Sequence, residues 1–272
     1  MDHFICTNCG IQYEAMERPP LECPICEDEK QWVPMDGQQW TTLADLRKSG
    51  IYENDLMELE PGLIGIHTEP TWSGVDRRVL LVQTQHGNVL WDCMTYLDDK
   101  TIRAINDLGG ISAIAISHPH FYATMVEWSH AFGDAPVYIH RADRKWVMRA
   151  DPVLTFFDSP SLEIIPGVTV VHCGGHFEGS TVLHWAGGAE GKGVLMTGDT
   201  IIATLDRKSV SFLYSYPNQI PQPANTVRQV VNAVMPYKFD RLIGVLLGRQ
   251  IDRDAKTAVQ RSADRYIEMI ES

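Results

Sequence analysis

The 272-residue sequence contains no apolar run near the ~20 residues that a membrane-spanning helix needs; Leu242–Leu247 is among its longest. No membrane association is expected. It also lacks a basic stripe. Its 23 Lys and Arg are outnumbered by 35 Asp and Glu, for a net charge of −12, and the cations sit among acids, as in Asp252-Arg253-Asp254. Such a surface repels polyanions, so nucleic acid is not an expected partner. Internal repeats and low-complexity tracts are missing, and 21% charged with 44% hydrophobic residues exclude a disordered, collagenous or coiled-coil chain. The opening residues Met1–Cys6 have neither the basic nor the apolar region of a secretory signal, which makes the cytoplasm the expected compartment. Cysteine is scarce, with six in the chain, yet four of them fall within the first 26 residues.

Those four are paired as Cys6-x-x-Cys9-Gly10 and Cys23-Pro24-x-Cys26. Two such knuckles supply the four thiolates that a tetrahedral ion takes at ~2.3 Å, and Gly10 suits the positive φ of the first turn. A segment of about 35 residues cannot build a sufficient core, so an ion is the expected staple. Tyr13 and Trp32 follow the two knuckles, and the whole segment resembles a rubredoxin-like or zinc-ribbon module. That resemblance implies zinc or iron. Glu27 stands where the second knuckle of a rubredoxin often has Gly, which favours a structural zinc.

Length and pattern divide the chain into this module (1–35), a polar connector with one short helix at Thr41–Ser49 (36–60), and a larger domain (61–272). The boundary predicts that loss of the first ion unfolds residues 1–35 and leaves the larger fold standing. Within that fold, apolar strands alternate with helices. Val79–Val82 and Val89–Asp92 read as a hairpin turning at His86–Asn88, and Asp98-Asp99 caps a helix carrying Ile102, Ile105 and Leu108. Arg141–Met148 reads as helix, and Asp254–Ile270 as a long final helix with Ala255, Val259, Ser262, Ala263, Tyr266 and Ile270 on its buried face. The pattern predicts an α/β sandwich with helices covering a pair of sheets.

Candidate chemistry lies where apolar strands end. His118 and His120 follow the run Ile111–Ile116, and in an extended chain residues two apart point the same way. Gly174-Gly175-His176 adds a third imidazole, and Thr197-Gly198-Asp199 a carboxylate at the end of Val194–Met196. These four side chains suit a single cation. Taken together, and with Asp92 closing an earlier strand, they resemble the metallo-β-lactamase superfamily across residues 61–272. The resemblance implies an αββα sandwich, with His118, His120 and His176 on one ion and Asp199 binding it or bridging to a second. The family's run is His-x-His-x-Asp-His, but Tyr122 and Ala123 occupy its last two positions, and Leu247-Gly248-Arg249-Gln250 replaces its final histidine. A single metal, zinc or alternatively iron, is expected.

The expected function is metal-dependent hydrolysis of a small ester, thioester, lactone or amide, with Asp199 as base and Tyr122 as donor to a developing oxyanion. Arg249 is the candidate for an anionic substrate group. Two alternatives stand beside it: a mononuclear iron dioxygenase of the persulfide dioxygenase type, and a binding or scaffold protein whose site has decayed. Trp72, Trp128 and the Tyr216–Pro223 stretch are candidates for shaping a pocket, with core packing the competing role for both tryptophans.

Overall fold

The computed structural model describes residues 1–71 and 78–272, so Trp72 lies outside the described residues. Two sheets face one another. The first has seven strands, in spatial order Leu154–Phe157, Val137–His140, Ala113–Ala115, Gly87–Trp91, Val79–Thr84, Leu63–Glu69 and Glu53–Glu60. Its first four strands are mutually parallel and the remaining pairings antiparallel. The second has six, in order Ser161–Ile165, Val168–His172, Thr181–Trp185, Val194–Met196, Arg241–Ile243 and Gln250–Ile251.

Side chains alternate across each strand, and this creates three layers of core. Leu80, Val82, Val89 and Trp91 of the first sheet meet Val170, Leu183, Val194 and Met196 of the second. The opposite face of the first sheet, with Leu81, Leu90 and Ile114, packs on Ile105, Val126 and Trp128 from helices Asp99–Asp107 and Met125–Ala131. The outer face of the second, with Val171, Val182 and Leu195, packs on helices Ala224–Val234 and Ala255–Glu271 through Val227, Val230 and Val259. The expected αββα sandwich is present. Trp128 is fully buried and donates from Nε1 to the carbonyl of Met94 at 2.9 Å, so it packs rather than lines a pocket.

Several local readings change. The hairpin is tighter than expected, running Val79–Thr84 and Gly87–Trp91 with the turn at 85–86. Arg141–Trp146 is a 3₁₀ helix, and Ile270 is exposed at the tip of the final helix, beyond the layer that Ala255 to Ala263 cover.

Residues 36–60 are the main departure. Trp40–Thr42 pairs with Asp2–Cys6, completing a three-stranded sheet with Gln12–Met16, while Glu53–Glu60 forms the edge of the seven-stranded sheet. The helix begins at Leu43, capped by Thr42, which accepts from the Asp45 N–H at 3.1 Å. The cysteine module and the sandwich also share one apolar cluster, in which Ile11, Tyr13 and Ile25 join Phe121, Tyr122 and Met125. Strand Gln12–Met16 is stitched down as well: Gln12 N–H donates to the Ala123 carbonyl and Glu14 N–H to that of Met148, both at 3.1 Å. Because the core is continuous, independent unfolding of residues 1–35 is not what this packing supports.

Candidate metal centres

Cys6, Cys9, Cys23 and Cys26 are buried with their sulfurs converging. Cys6 Sγ lies 3.5 Å from Cys26 Sγ, and Cys9 Sγ lies 3.6 Å from Cys23 Sγ. A tetrahedral ion with ~2.3 Å bonds to sulfur has ligand–ligand edges of about 3.8 Å, so the donor set fits one ion. Gly10 takes the expected left-handed φ of 82°. Two donors not expected from the motif point at the sulfurs: Gln38 Nε2 reaches Cys6 Sγ at 2.9 Å, and Asn8 Nδ2 reaches Cys26 Sγ at 3.5 Å. Hydrogen bonds from Cys23 and Cys26 hold Cys6 far below the ordinary thiol range, whereas burial pushes Cys9 up. A cation resolves that conflict by favouring the thiolate at every position.

The second cluster sits at the edge between the sheets. His118, His120, His176 and Asp199 offer ligand atoms that all lie within 4.8 Å of one another. His118 Nε2 is 3.2 Å from Asp199 Oδ2, His176 Nε2 is 3.9 Å from the same oxygen, and His176 Nε2 is 3.4 Å from His120 Nδ1. Bonds of ~2.0–2.1 Å in a tetrahedron give edges of about 3.3 Å, so this set also fits a single ion.

Each of the four side chains is aimed by its own local structure. Asp92, held at φ 67°, accepts the Ser117 N–H on Oδ1 at 2.7 Å and so fixes the end of the strand that delivers His118. The two histidines do not converge along an extended chain. His118 is extended, but Pro119–Phe121 is a 3₁₀ turn, started by the fixed φ of Pro119, that folds His120 back toward His118 with ring centroids 5.0 Å apart. His176 donates from Nδ1 to the Tyr214 carbonyl at 2.9 Å, which leaves the Nε2 lone pair facing the cluster. Burial and the nearby His118 lower its pKa to about 3, keeping the ring neutral. Burial works to raise the Asp199 carboxyl, but hydrogen bonds from His118 and His120 hold it well below the usual range. Phe177 packs against all three imidazoles, with centroids 5.0–5.7 Å away.

The turn between Thr197 and Asp199 needs glycine for two reasons. Gly198 has φ 51°, and a Cβ there would stand 2.7 Å from both Cβ and Oγ of Ser117, whose hydroxyl bonds His118 Nδ1 at 2.8 Å. Gly198→Ala is expected to destabilise the fold by about 2–4 kcal/mol, from αL strain plus overpacking. The melting temperature should fall by roughly 5–15 °C in a thermal scan. An unchanged midpoint would contradict this close approach.

Other sequence expectations fare differently. Tyr122 is not turned into the cluster: it is buried, and its hydroxyl faces the Asp143 carbonyl at 3.5 Å. The reason is the 3₁₀ turn, after which Tyr122 enters the core shared with the cysteine module. Arg249 is half-buried, and its charge acts on Tyr216, whose hydroxyl donates to the Asp199 carbonyl at 2.7 Å. Tyr216 belongs to the Pro-rich stretch expected to shape the site, but nothing in its sequence context signals this bond. Cys93 and Cys173 are buried core residues at strand ends.

Comparison with known proteins agrees with this architecture. No family model matches the chain. The uncharacterized protein YmaE of Bacillus subtilis (strain 168) is 48% identical over 272 residues, spanning 100% of this chain and 98% of its own. The solved structure of VMB-1 superposes on 80% of this chain and 98% of itself, with a TM-score of 0.57 at 16% identity. FIM-1 from Pseudomonas aeruginosa, solved in a mono-zinc form, covers 78% of this chain and 95% of itself, with a TM-score of 0.55 at 18% identity. A B3 metallo-β-lactamase with an active-site glutamic acid covers 84% and 96%, with a TM-score of 0.51 at 14% identity. These structural likenesses carry the fold, and the high identity over full length carries the kinship: the chain belongs to the family of YmaE and has the metallo-β-lactamase fold behind a four-cysteine module.

Proposed function

We propose that the protein is a metal-dependent hydrolase of a small ester, thioester, lactone or amide, working with one ion at His118, His120, His176 and Asp199. The observation that carries this reading is the donor set itself: three imidazoles and one carboxylate at separations that suit a single divalent cation. A divalent ion held there would supply Lewis acidity and, with Asp199 detached or the coordination shell expanded to open a position, would make water nucleophilic near neutral pH.

The chain's own residues divide the remaining work. Asp199 is the only member of the cluster that is not fully buried, so its carboxylate is placed to orient the attacking water and take its proton. The Tyr216 hydroxyl fixes the Asp199 backbone. Tyr214 fixes the His176 ring. Phe177 closes one side of the imidazole cluster and keeps bulk water from it. Arg249, half-buried beside Tyr216, is the group assigned to an anionic part of the substrate. The retention of all four donors, convergent and with the three imidazoles buried, argues against a decayed site.

Protein purified without added metal is expected to carry about two ions per chain, one bound by thiolates and one by the histidine cluster. Elemental analysis measures this directly. One thiolate-bound ion alone would favour the scaffold reading. Iron in the histidine cluster, with oxygen uptake on a persulfide, would replace hydrolysis by dioxygenation.

A further inference from the structure

The cysteine module ends in a turn that touches the histidine cluster through two intervening residues. Cys26 is followed after Glu27 by Asp28, whose Oδ1 accepts both the Lys30 N–H at 3.0 Å and the Lys30 ammonium at 2.9 Å. Lys30 is therefore held in place and is only 6% exposed. Its Nζ sits 4.7 Å from the centroid of Phe177 and 4.4 Å from that of Tyr214. An ammonium between two aromatic faces with little water around it is a strong contact. Both rings belong to the histidine site: Phe177 packs on the imidazoles, and the Tyr214 carbonyl fixes His176.

A second tie runs in parallel. The Glu29 carbonyl accepts from Ser215 Oγ at 2.6 Å and from Asn218 Nδ2 at 2.9 Å. Ser215 is fully buried and lies between Tyr214 and Tyr216, the two residues that hold His176 and the Asp199 backbone. The strand Leu213–Ser215, which carries Tyr214 and Ser215 and runs into Tyr216, pairs among the described residues only with Ile220–Pro221, in an irregular two-stranded ribbon. Such a ribbon is marginal by itself. Its position depends on what is packed against it.

We propose that Glu29 and Lys30 are positioning residues for the histidine cluster, so that the four-cysteine module sets the geometry of the second metal site. This rests on the reading that His118, His120, His176 and Asp199 hold an ion. Groups that orient a metal ligand change affinity by about 10–100-fold when removed. Lys30 is four residues from Cys26, and its ammonium lies against the ring of Tyr214, the residue whose carbonyl bonds His176.

The test is cobalt titration of the metal-free full-length protein against a competing chelator. Thiolate-bound cobalt has intense charge-transfer bands and histidine-bound cobalt has weak ligand-field bands, so the two sites are read separately. Lys30→Ala is expected to weaken the histidine site about 10–100-fold and leave the thiolate site unchanged. Ser215→Ala should weaken the same site. Lys30→Arg should restore most of the loss, because guanidinium stacks on aromatic rings and pairs with carboxylate. The cavity of about 420 Å³ that Asp28, Lys30, Phe177 and Tyr214 line has room for it. Lys145→Ala, which lines that cavity but pairs with Glu178, should change neither site. Equal affinity in Lys30→Ala and wild type, a parallel loss at both sites, or an equal effect of Lys145→Ala overturns the coupling. A wild-type protein that takes up cobalt only at the thiolates overturns the functional reading, and the coupling falls with it.

Discussion

Replacing Cys23 with serine is expected to release one ion per chain and to lower the melting temperature of the whole protein in a single transition. The sulfurs of Cys9 and Cys23 face each other at 3.6 Å, so the substitution removes one of four donors at the centre of the module. Structural zinc sites of this type contribute an apparent ~10–16 kcal/mol to folding, comparable to the entire stability of a typical domain. Three remaining thiolates retain part of that, and a net loss of about 5 kcal/mol corresponds to roughly 10–20 °C. The loss spreads because the module has no core of its own. Ile11 and Tyr13 are in the cluster that contains Phe121, Tyr122 and Trp128, and Thr95 Oγ1 donates to the Gly10 carbonyl at 3.1 Å. Arg149 bridges Glu127 at 2.6 Å and also bonds Gln12. Scanning calorimetry checks the outcome. A two-step melt, with the sandwich unfolding at its wild-type temperature, would restore the view of residues 1–35 as an independent unit.

What could be read from the chain alone was set by how locally each feature is encoded. Both cysteine knuckles, the paired histidines, Gly174-Gly175-His176 and Thr197-Gly198-Asp199 were legible because ligand type and turn geometry occupy three or four consecutive residues. The sandwich was legible because apolar runs alternate with amphipathic helices. Glu53–Glu60 was not, since its acids and single-sided burial look like a polar connector. At a sheet edge only one side chain in two needs a core, and there Asn54 turns inward to bond the Tyr96 carbonyl at 3.0 Å. Lys30, Ser215 and Tyr216 carry no local signal for this role, because the contacts that tie them to the histidine cluster or the cysteine module are made across the fold: Lys30 to Phe177 and Tyr214, Ser215 to the Glu29 carbonyl, and Tyr216 to the Asp199 carbonyl. Tyr122 misled for a related reason: its place in the motif is adjacent to the candidate donors, yet the 3₁₀ turn at Pro119 rotates it into the core.

His118→Ala and Asp199→Asn are expected to fail in different ways, and the difference assigns their roles. His118 is buried, and its Nε2 is 3.2 Å from Asp199 and its ring 4.9 Å from that of His176, at the heart of the donor set. Alanine there removes a ligand and leaves a void that no neighbouring donor fills, so the histidine-cluster ion should be lost and one ion per chain remain. With the Lewis acid gone, kcat/KM on a responsive ester or lactone should fall by at least about 10³. Asparagine at 199 keeps an oxygen near the ion but accepts no proton at neutral pH. That variant should retain most of its second ion while kcat drops by about 10²–10⁴, the range for a lost general base. Ion content and kcat must be measured on the same preparations, because only their combination separates the two roles. If Asp199→Asn loses the ion as completely as His118→Ala, Asp199 is principally a ligand and another group takes the proton. If His118→Ala keeps both its ions and its activity, the hydrolytic site lies elsewhere on the fold.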